Sequence, residues 1–234
     1  MQLSFHKQII KLLRYLLYAP LNWLRYLLRM DSTVPVSRLF GFDRGTSIDR
    51  YYIEQFLKKH AARIHGDVLE IAENTYTMRY GTNPKSHVLH AVEGNPNATF
   101  VGNLETGENI PQNTYDCIIL TQTLPFIYDT RAVIKNCYQA LKKGGTILIT
   151  VPCISQISRY DMDRWGDYWR FTDMGLRRLF EETFDPKKIS TEIFGNVYAA
   201  KAFLYGVACE DVNLKLLQPV DPDYQLIICL IAEK

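Results

Sequence analysis

One short segment, from Ser155 to Thr172, carries most of the side chains with which this chain could do chemistry. It holds two tryptophans, two tyrosines, three acids and three arginines, a mixture that a surface loop does not need for structural reasons. Aromatic rings beside carboxylates suit a sugar, because the apolar face of a sugar stacks on a ring while its hydroxyls bond to acids. The residues predicted to bind a substrate are Tyr160, Trp165, Tyr168, Trp169 and Arg170. The alternative is a structural cap whose rings are buried and whose charges pair with one another.

Two carboxylates of the same segment, Asp161 and Asp163, are candidates for a general base. A neutral hydroxyl needs such a base to take its proton when it acts as a nucleophile. The histidines His65, His87 and His90 lie at a helix end or in a predicted strand, where a structural role is the simpler interpretation.

The elements that must position this segment alternate between short β-rich runs and helical periodicity. Strands are predicted at 68–71, 87–91, 99–101, 115–120, 146–151, 189–194 and 224–232, and helices at 48–64, 131–143, 174–184 and 197–209. Strands separated by helices imply right-handed crossovers and a parallel sheet covered on both faces. The count and order suit an α/β fold with a Rossmann-like, doubly wound, seven-stranded and mostly parallel sheet whose last strand is antiparallel.

The charge of the chain is unevenly distributed. The net charge is +2 over 234 residues, but residues 1–30 hold five basic side chains and no acid, so the remainder is slightly acidic. That balance argues against a nucleic-acid partner, which requires a concentrated basic surface. We expect residues 31–234 to form one domain of catalytic size. The five cysteines are odd in number and lack metal-site spacing, which predicts buried hydrophobes, no metal and a cytoplasmic location.

Residues 1–30 have the pattern of an amphipathic basic helix. At 100° per residue the five bases fall within an arc of roughly 60°, and the opposite side is almost wholly Leu, Ile, Phe and Trp. The basic stripe keeps its phase across Pro20, which favours one bent helix, and charges interrupt every window long enough to span a bilayer. Two alternatives remain: the apolar face packs on the domain or a partner subunit, or it lies in an anionic membrane surface.

The turn after the first predicted strand, from Glu70 to Tyr76, is where an open parallel sheet would bind a nucleotide-type ligand. It contains no glycine, although such ligands usually need a close backbone approach there. A nicotinamide-dependent enzyme is therefore the weaker alternative.

Three stretches, Gly66–Ile71, Tyr115–Leu120 and Leu141–Pro152, resemble the first, fourth and fifth strand motifs of class I S-adenosylmethionine-dependent methyltransferases. A bacterial branch of that superfamily, often linked to glycan or cell-surface polysaccharide synthesis, is similar in three further stretches. These are Phe40–Gly45, Ile48–Glu54 and Ile157–Thr172. The resemblance implies S-adenosylmethionine as cofactor and methyl transfer as reaction.

The resemblance also implies roles for individual residues. Those implied to bind the cofactor are Glu70, Ala72, Asn74, Thr75 and Tyr76 for its methionine part, Glu93 for the ribose, Asn103 and Leu104 for the adenine, and Thr121 and Gln122 beneath the sulfonium. The elements that contain Arg44, Tyr51 and Tyr52 would fold over the site, and we predict that these three contact the substrate. The alternative there is a helix cap formed by Asp49.

The chain departs from the family pattern at three positions. Ala72 stands where glycine is usual, Val92 where an acid is common, and Asn103 where aspartate is common. Alanine costs about 1–2 kcal/mol at position 72 only if the backbone is left-handed there, and Asn103 still offers a carbonyl oxygen to an adenine amine. Two functions are therefore open: methyl transfer to a small polar acceptor, such as a sugar or glycan hydroxyl, or a non-catalytic binding or scaffold role.

Overall fold

The central strands are apolar along their length because helices cover both faces of the sheet. The computed structural model describes residues 32–234, of which Ser37–Lys234 form one compact unit. The basic helix predicted for residues 1–30 lies outside the described residues. Six consecutive residues are buried in the last strand, a pattern that only a strand covered on both sides can show.

Six helices and seven strands make up the described α/β unit. Helices α1 to α6 span Ile48–Lys59, Thr75–Tyr80, Thr130–Ala140, Arg159–Met162, Asp173–Glu181 and Val197–Tyr205. Strands β1 to β7 span His65–Ile71, Thr82–His90, Phe100–Val101, Tyr115–Thr121, Leu141–Pro152, Ile189–Phe194 and Ile227–Glu233. Short 3₁₀ turns connect several of them.

The strands form one sheet in the order β3-β2-β1-β4-β5-β7-β6. Strand β7 pairs antiparallel with β5 and with β6, whereas the other neighbouring strands are parallel. The predicted fold class, a mostly parallel seven-stranded sheet with an antiparallel last strand, is confirmed.

An apolar layer lies on each face of the sheet. Helices α3 and α5 bury Val133, Ile134 and Phe180 on one face, and helices α1 and α6 bury Phe56 and Phe203 on the other. The cysteines Cys117, Cys137, Cys209 and Cys229 are buried in these layers, as predicted for small apolar side chains, and Cys153 is half-buried. In the part of the chain that the structure describes, no helix has the length and apolarity needed to cross a membrane.

The prediction that one helix runs from residue 48 to 64 and ends at Gly66 was wrong beyond Lys59. Helix α1 ends at Lys59, a 3₁₀ turn covers Ala61–Arg63, and Gly66 lies inside β1. The φ angle of Gly66 is +65°, at a break in the β1–β2 register, and a Cβ there would lie 2.3 Å from Oδ2 of Asp116. Glycine is therefore needed for a bulge in the strand rather than for a helix end.

The helix predicted to run to residue 143 also ends early. Helix α3 stops at Ala140, and Leu141 is already extended and pairs with Tyr115 as the first residue of β5. The Lys-Lys-Gly-Gly sequence, which suggested a helix stop, forms an irregularity in the β4–β5 register, with Gly144 at φ +80°. Burial of Leu141 against the sheet explains why the chain becomes extended before the glycines.

Candidate active site

A cavity of about 700 Å³ opens at the carboxyl ends of the parallel strands. The turns after β1 and β4 contribute Ala72 and Gln122 to its wall, and the ends of β2 and β5 contribute His90 and Pro152. The order of the sheet reverses between β1 and β4, and ligands of doubly wound folds bind at such a switch point. The volume lies within the range of small-molecule and cofactor sites.

Three non-glycine residues with a left-handed φ line this cavity, namely Phe40 and two residues in the turns after β1 and β4. Ala72 has a φ of +68° after β1, and Gln122 has a φ of +50° after β4. The turn at Ala72 is held in place because its N–H donates to the carbonyl of Leu89 at 2.9 Å and its carbonyl accepts from Asn95 at 2.6 Å. The left-handed backbone that makes alanine unfavourable is therefore present at position 72. The strain lies in the cavity wall, and backbone strain is common at functional sites.

The carboxylate of Glu70 is buried at the cavity wall and organises the turn behind it. It accepts hydrogen bonds from the backbone N–H of Tyr76 at 3.2 Å and from the N–H and hydroxyl of Thr77, each at 2.7 Å. Burial raises the pKa of Glu70, and these hydrogen bonds oppose that increase. A carboxylate at the amino end of α2 is also favoured by the helix dipole. Glu70 and Ala72 line the cavity, whereas Asn74, Thr75 and Tyr76 lie behind the wall at the start of α2.

Helix α1 presents Asp49 and Arg50 to the cavity. The Arg50 guanidinium lies 5.7 Å from the ring centroid of Phe42 and 5.8 Å from that of Tyr76, and it donates to the Tyr76 hydroxyl. Arg50 was not among the predicted site residues. The sequence held one signal for Arg50, which is that it lies beside the apolar face of α1. That face must pack against the sheet.

The residues predicted to contact the substrate from this part of the chain lie outside the cavity wall. Tyr52 is buried and its hydroxyl donates to the Leu217 carbonyl at 2.7 Å, while Tyr51 packs edge-on against it. Arg44 makes two hydrogen bonds to Asp211, at 2.7 and 3.0 Å. These contacts hold the start of the domain against residues 208–217.

The turn after β3 uses the side-chain oxygen of Asn103 for its own closure. Asn103 Oδ1 accepts from the N–H of Glu105 at 2.8 Å and of Thr106 at 3.2 Å. A carbonyl oxygen has two lone pairs, so the acceptor expected for an adenine amine is already engaged, and the Nδ2 amide remains as a donor. Leu104, which is buried, lines the cavity beside it, and so does Thr121 at the end of β4.

A second, open groove of about 530 Å³ adjoins the main cavity and contains Glu93. The two spaces share His90, Arg164 and Trp165. His90 has its Nδ1 2.7 Å from the Val92 carbonyl, and its ring stands edge-on to Trp165 at 6.1 Å. The sequence assigned His90 a structural role, and only the fold shows that it lies at the junction of the two spaces.

The segment from 155 to 170 returns from β5 across the mouth of the cavity and is held by an ion pair whose carboxylate is buried. The Asp167 side chain is inaccessible to solvent and contacts Arg170 at 2.5 and 2.9 Å. Asp167 also accepts from the N–H of Ser158 at 3.0 Å, and Arg170 donates to the Gln156 carbonyl at 2.6 Å. Because both oxygens of Asp167 are engaged, its role is to shape the segment.

The residues of this segment that were predicted to act as base or to bind substrate fall into two groups, one in the wall of the main cavity and one outside it. Those that line the main cavity are Asp161, Trp165, Tyr168 and Arg170. Those that do not are Asp163, which is exposed and paired with Arg159, Tyr160, which is exposed beside the second groove, and Trp169, which lies on the outer side. The cap and binding alternatives are thus combined in one segment, with its charges paired as a cap requires and some of its aromatic rings at the cavity.

The cavity has an acidic lining. Six acids and three arginines line it, and one of those arginines is engaged by Asp167. The acids are Asp49, Glu70, Glu73, Glu105, Asp161 and Asp167, and the arginines are Arg50, Arg164 and Arg170. A concave site whose wall has an excess of one sign of charge favours ligands of the opposite sign. The arrangement therefore favours a cationic ligand.

The fold and this site define the chain as a methyltransferase-type α/β protein. A crystal structure of a SAM-dependent methyltransferase from Archaeoglobus fulgidus is similar, with a TM-score of 0.51 and 14% identity over 79% of this chain and 94% of that one. A putative sarcosine dimethylglycine methyltransferase from Galdieria sulphuraria is similar with a TM-score of 0.52 and 14% identity, covering 79% of this chain and 86% of the other.

The family follows from the sequence match. The family model described as "Methyltransferase domain" matches residues 22–184, so the chain belongs to that family. No curated protein sequence matches the chain. The predicted superfamily is therefore confirmed, and its glycan-associated branch stays a prediction.

Replacement of Ala72 by glycine tests the strained turn. We expect A72G to raise the free energy of unfolding by about 0.5–1 kcal/mol, because relief of the left-handed strain outweighs the entropy that glycine loses on folding. Urea denaturation followed by circular dichroism measures the change. The matched control is Asn109→Gly, at an exposed position with φ +57° outside the cavity wall.

The same two variants separate strain from ligand contact. A72G is expected to tighten binding of S-adenosylhomocysteine because a ligand can approach the backbone more closely, while N109G is expected to leave it unchanged. An unchanged or lower stability of A72G would contradict this prediction, because it would show that the strain at Ala72 does not exceed the entropy cost of glycine.

Proposed function

We propose that this chain transfers a methyl group from S-adenosylmethionine to a hydroxyl of a sugar or glycan intermediate. The observation that carries the proposal is the acidic cavity at the switch point of a methyltransferase fold, covered by a segment that places Asp161, Trp165 and Tyr168 in its wall. The membership in the methyltransferase-domain family supports the reaction, and the aromatic and acidic lining supports the acceptor.

The residues present fit S-adenosylmethionine in volume and charge. The cofactor has a sulfonium and an ammonium group against one carboxylate, so its net positive charge suits the acidic lining. Glu70 and Ala72 would hold its methionine part, with Arg50 available to the carboxylate, and Asn103 and Leu104 would contact the adenine. Thr121 and Gln122 would lie beneath the sulfonium. The cofactor supplies an electrophilic methyl group on sulfur.

The chain supplies a base and a fixed position for the acceptor. Asp161 is held by Ser158, whose hydroxyl donates to Asp161 Oδ2 at 2.5 Å. The other carboxylate oxygen is the group that would take the proton of an acceptor hydroxyl as the hydroxyl oxygen bonds to the methyl carbon and the methyl–sulfur bond breaks to leave S-adenosylhomocysteine. Fixing the acceptor in line with the methyl group contributes up to about 7–11 kcal/mol to the lowering of the barrier. Trp165 and Tyr168 would form walls against which a sugar ring is oriented.

A second candidate function is a binding or scaffold protein that has kept the fold and lost turnover. Three observations favour it. Ala72 carries backbone strain where glycine would not, and the Asn103 oxygen is engaged within its own turn. The exposed Val92 also offers no charge to a ribose. Cofactor binding without turnover is the result that would select this function.

The charge of the cavity yields a binding test. We expect the full chain to bind both S-adenosylmethionine and S-adenosylhomocysteine in isothermal titration calorimetry. Raising the salt concentration from 50 to 500 mM should weaken the binding of S-adenosylmethionine more than that of S-adenosylhomocysteine. The reason is that only S-adenosylmethionine carries the sulfonium charge that the acidic lining attracts. Absence of binding heat with either ligand at millimolar concentration would refute methyl transfer and leave only the fold.

Two neighbouring carboxylates provide a matched test of the base. Asp161→Asn should lower the rate of S-adenosylhomocysteine formation by about 10²–10⁴-fold, because the variant cannot accept the proton. Asp163→Asn should leave the rate unchanged, because Asp163 lies outside the cavity wall and pairs with Arg159 on an exposed surface. The assay uses a heat-treated bacterial extract of small molecules and glycans as acceptor, with calorimetry to confirm unchanged cofactor affinity. Equal rates for the wild type and D161N would rule out Asp161 as the base.

We also propose that residues 1–30 attach the protein to an anionic membrane surface at the cytoplasmic face. Support comes from the sequence alone: a stripe of five bases beside an apolar face, in which each base near such a surface contributes about 1 kcal/mol. The rival is packing against the domain or a partner subunit.

Co-sedimentation with vesicles decides between these alternatives. The full chain should sediment with phosphatidylglycerol-containing vesicles and remain in the supernatant with purely zwitterionic ones. A chain that starts at Asp31, and the full chain with Lys7, Lys11 and Arg14 changed to Gln, should both lose the interaction. If the unaltered chain stays in the supernatant with anionic vesicles, the membrane proposal fails and packing remains.

A further inference from the structure

Three aromatic residues, Tyr128, Tyr168 and Trp169, form a cluster at the rim of the main cavity, which we call the aromatic platform. The Tyr128 ring lies 5.5 Å from that of Tyr168 in a T-shaped contact and 5.7 Å from that of Trp169 at an angle of 30°. The three residues are 66%, 49% and 37% exposed, respectively. Aromatic surface of this size is normally buried, so its exposure at a cavity rim requires a reason.

The platform is fixed by the backbone around it. The Trp169 indole N–H donates to the Tyr128 carbonyl at 3.1 Å, and the N–H groups of Tyr168 and Trp169 donate to the Pro125 carbonyl at 2.8 and 3.3 Å. Pro125 is buried in a 3₁₀ turn that follows β4. A ligand that stacks on these rings would therefore meet a surface that is already in place, which lowers the entropic cost of binding.

The platform is continuous with the cavity. Tyr128 and Tyr168 belong both to the platform and to the cavity wall, whereas Trp169 lies outside it. A bound molecule that fills the cavity and is longer than one sugar ring would therefore contact the platform where it extends out of the cavity.

Size and charge indicate what the platform binds. Its three residues together expose roughly 300 Å², well below the 800 Å² or so that one partner contributes to a stable protein interface. The charged side chains next to the rings are engaged, since Asp129 caps α3 through the N–H of Ala132 and Arg170 pairs with Asp167. A small neutral ligand with an apolar face fits these properties, and a pyranose ring has such a face, whose C–H bonds are attracted by the electron-rich face of an aromatic ring.

We propose that the aromatic platform binds a second sugar unit of the acceptor, next to the unit that enters the cavity. The inference rests on the proposed function, in that it takes the acceptor to be a sugar. It narrows that acceptor from a single sugar to an oligosaccharide or a glycan chain of at least two units.

Saturation-transfer difference NMR on the full chain with saturating S-adenosylhomocysteine tests the proposal. The probes are the methyl glycosides of glucose, galactose, mannose, rhamnose and N-acetylglucosamine, each compared with a disaccharide of the same sugar. We expect irradiation of aromatic protons to give a stronger signal and a lower Kd for at least one disaccharide than for its monosaccharide. Stacking on a preformed ring is worth about a fivefold difference in Kd.

Three variants show whether that difference arises at the platform. Tyr128→Ala should abolish it, and the fold should persist because the ring is mostly exposed and the carbonyl that accepts from Trp169 is kept. Tyr128→Phe should retain it because the ring remains. Tyr224→Ala, at another exposed tyrosine outside the cavity wall, should leave it unchanged.

The outcomes separate this proposal from the proposed function. If no disaccharide binds more tightly than its monosaccharide, or if Y128A binds the disaccharide as the wild type does, the platform proposal is overturned even when S-adenosylhomocysteine binds. If disaccharides bind at the platform but S-adenosylhomocysteine does not, the sugar site stands and methyl transfer fails.

Discussion

The candidate site exists because two neighbouring parallel strands send their connections in opposite directions. From β1 the chain passes to β2 on one side, and from β4 it passes to β5 on the other, so neither of these two connections crosses the carboxyl ends of β1 and β4. The space that remains is the cavity. The turns directly after β1 and β4 form the floor of the cavity. Only elements that pass over the carboxyl ends of these strands can cover it. Helix α1 and the segment after β5 are those elements.

The floor of the cavity is made from backbone that is under strain. Ala72 and Gln122 both adopt left-handed conformations at the ends of these two strands, and neither is a glycine. The surrounding hydrogen bonds to Leu89 and Thr150 hold the two turns in these conformations. The strain therefore has a structural origin, the sharp reversal of the chain at the switch point, and does not by itself indicate that the site has lost its function.

The cover shows how one segment can serve stability and binding together. Burial of the Asp167 carboxylate against the partly exposed Arg170 would be unfavourable if the pair were isolated, because removing a charge from water costs more than one attraction returns unless further hydrogen bonds are made. Ser158 and the Gln156 carbonyl provide such hydrogen bonds. With its path determined in this way, the segment can direct Asp161 and Trp165 into the cavity while Trp169 remains on the outside.

The fold class could be predicted from the sequence because it depends on local patterns. Apolar runs bounded by turns specify strands, and a helical period between them specifies crossovers, so a mostly parallel sheet covered on both faces followed with few alternatives. Element ends were less predictable. Gly66 and the Lys-Lys-Gly-Gly stretch suggest helix ends in isolation, but pairing with neighbouring strands turns both into bulges.

The sequence predicted which stretches of the chain form the site, but not which residues of each stretch line it. The sequence identified the turns after the strands and the segment rich in aromatic and charged residues, because composition and the switch-point rule identify them. It could not distinguish Asp161 from Asp163, or Arg50 from Tyr51, since residues one or two positions apart on a helix point about 100° or 200° away from each other. Nor could it associate Tyr128 with Trp169, 41 positions later in the chain. Only tertiary packing decides which side of each element faces the cavity, because that choice depends on contacts between residues that are distant in sequence.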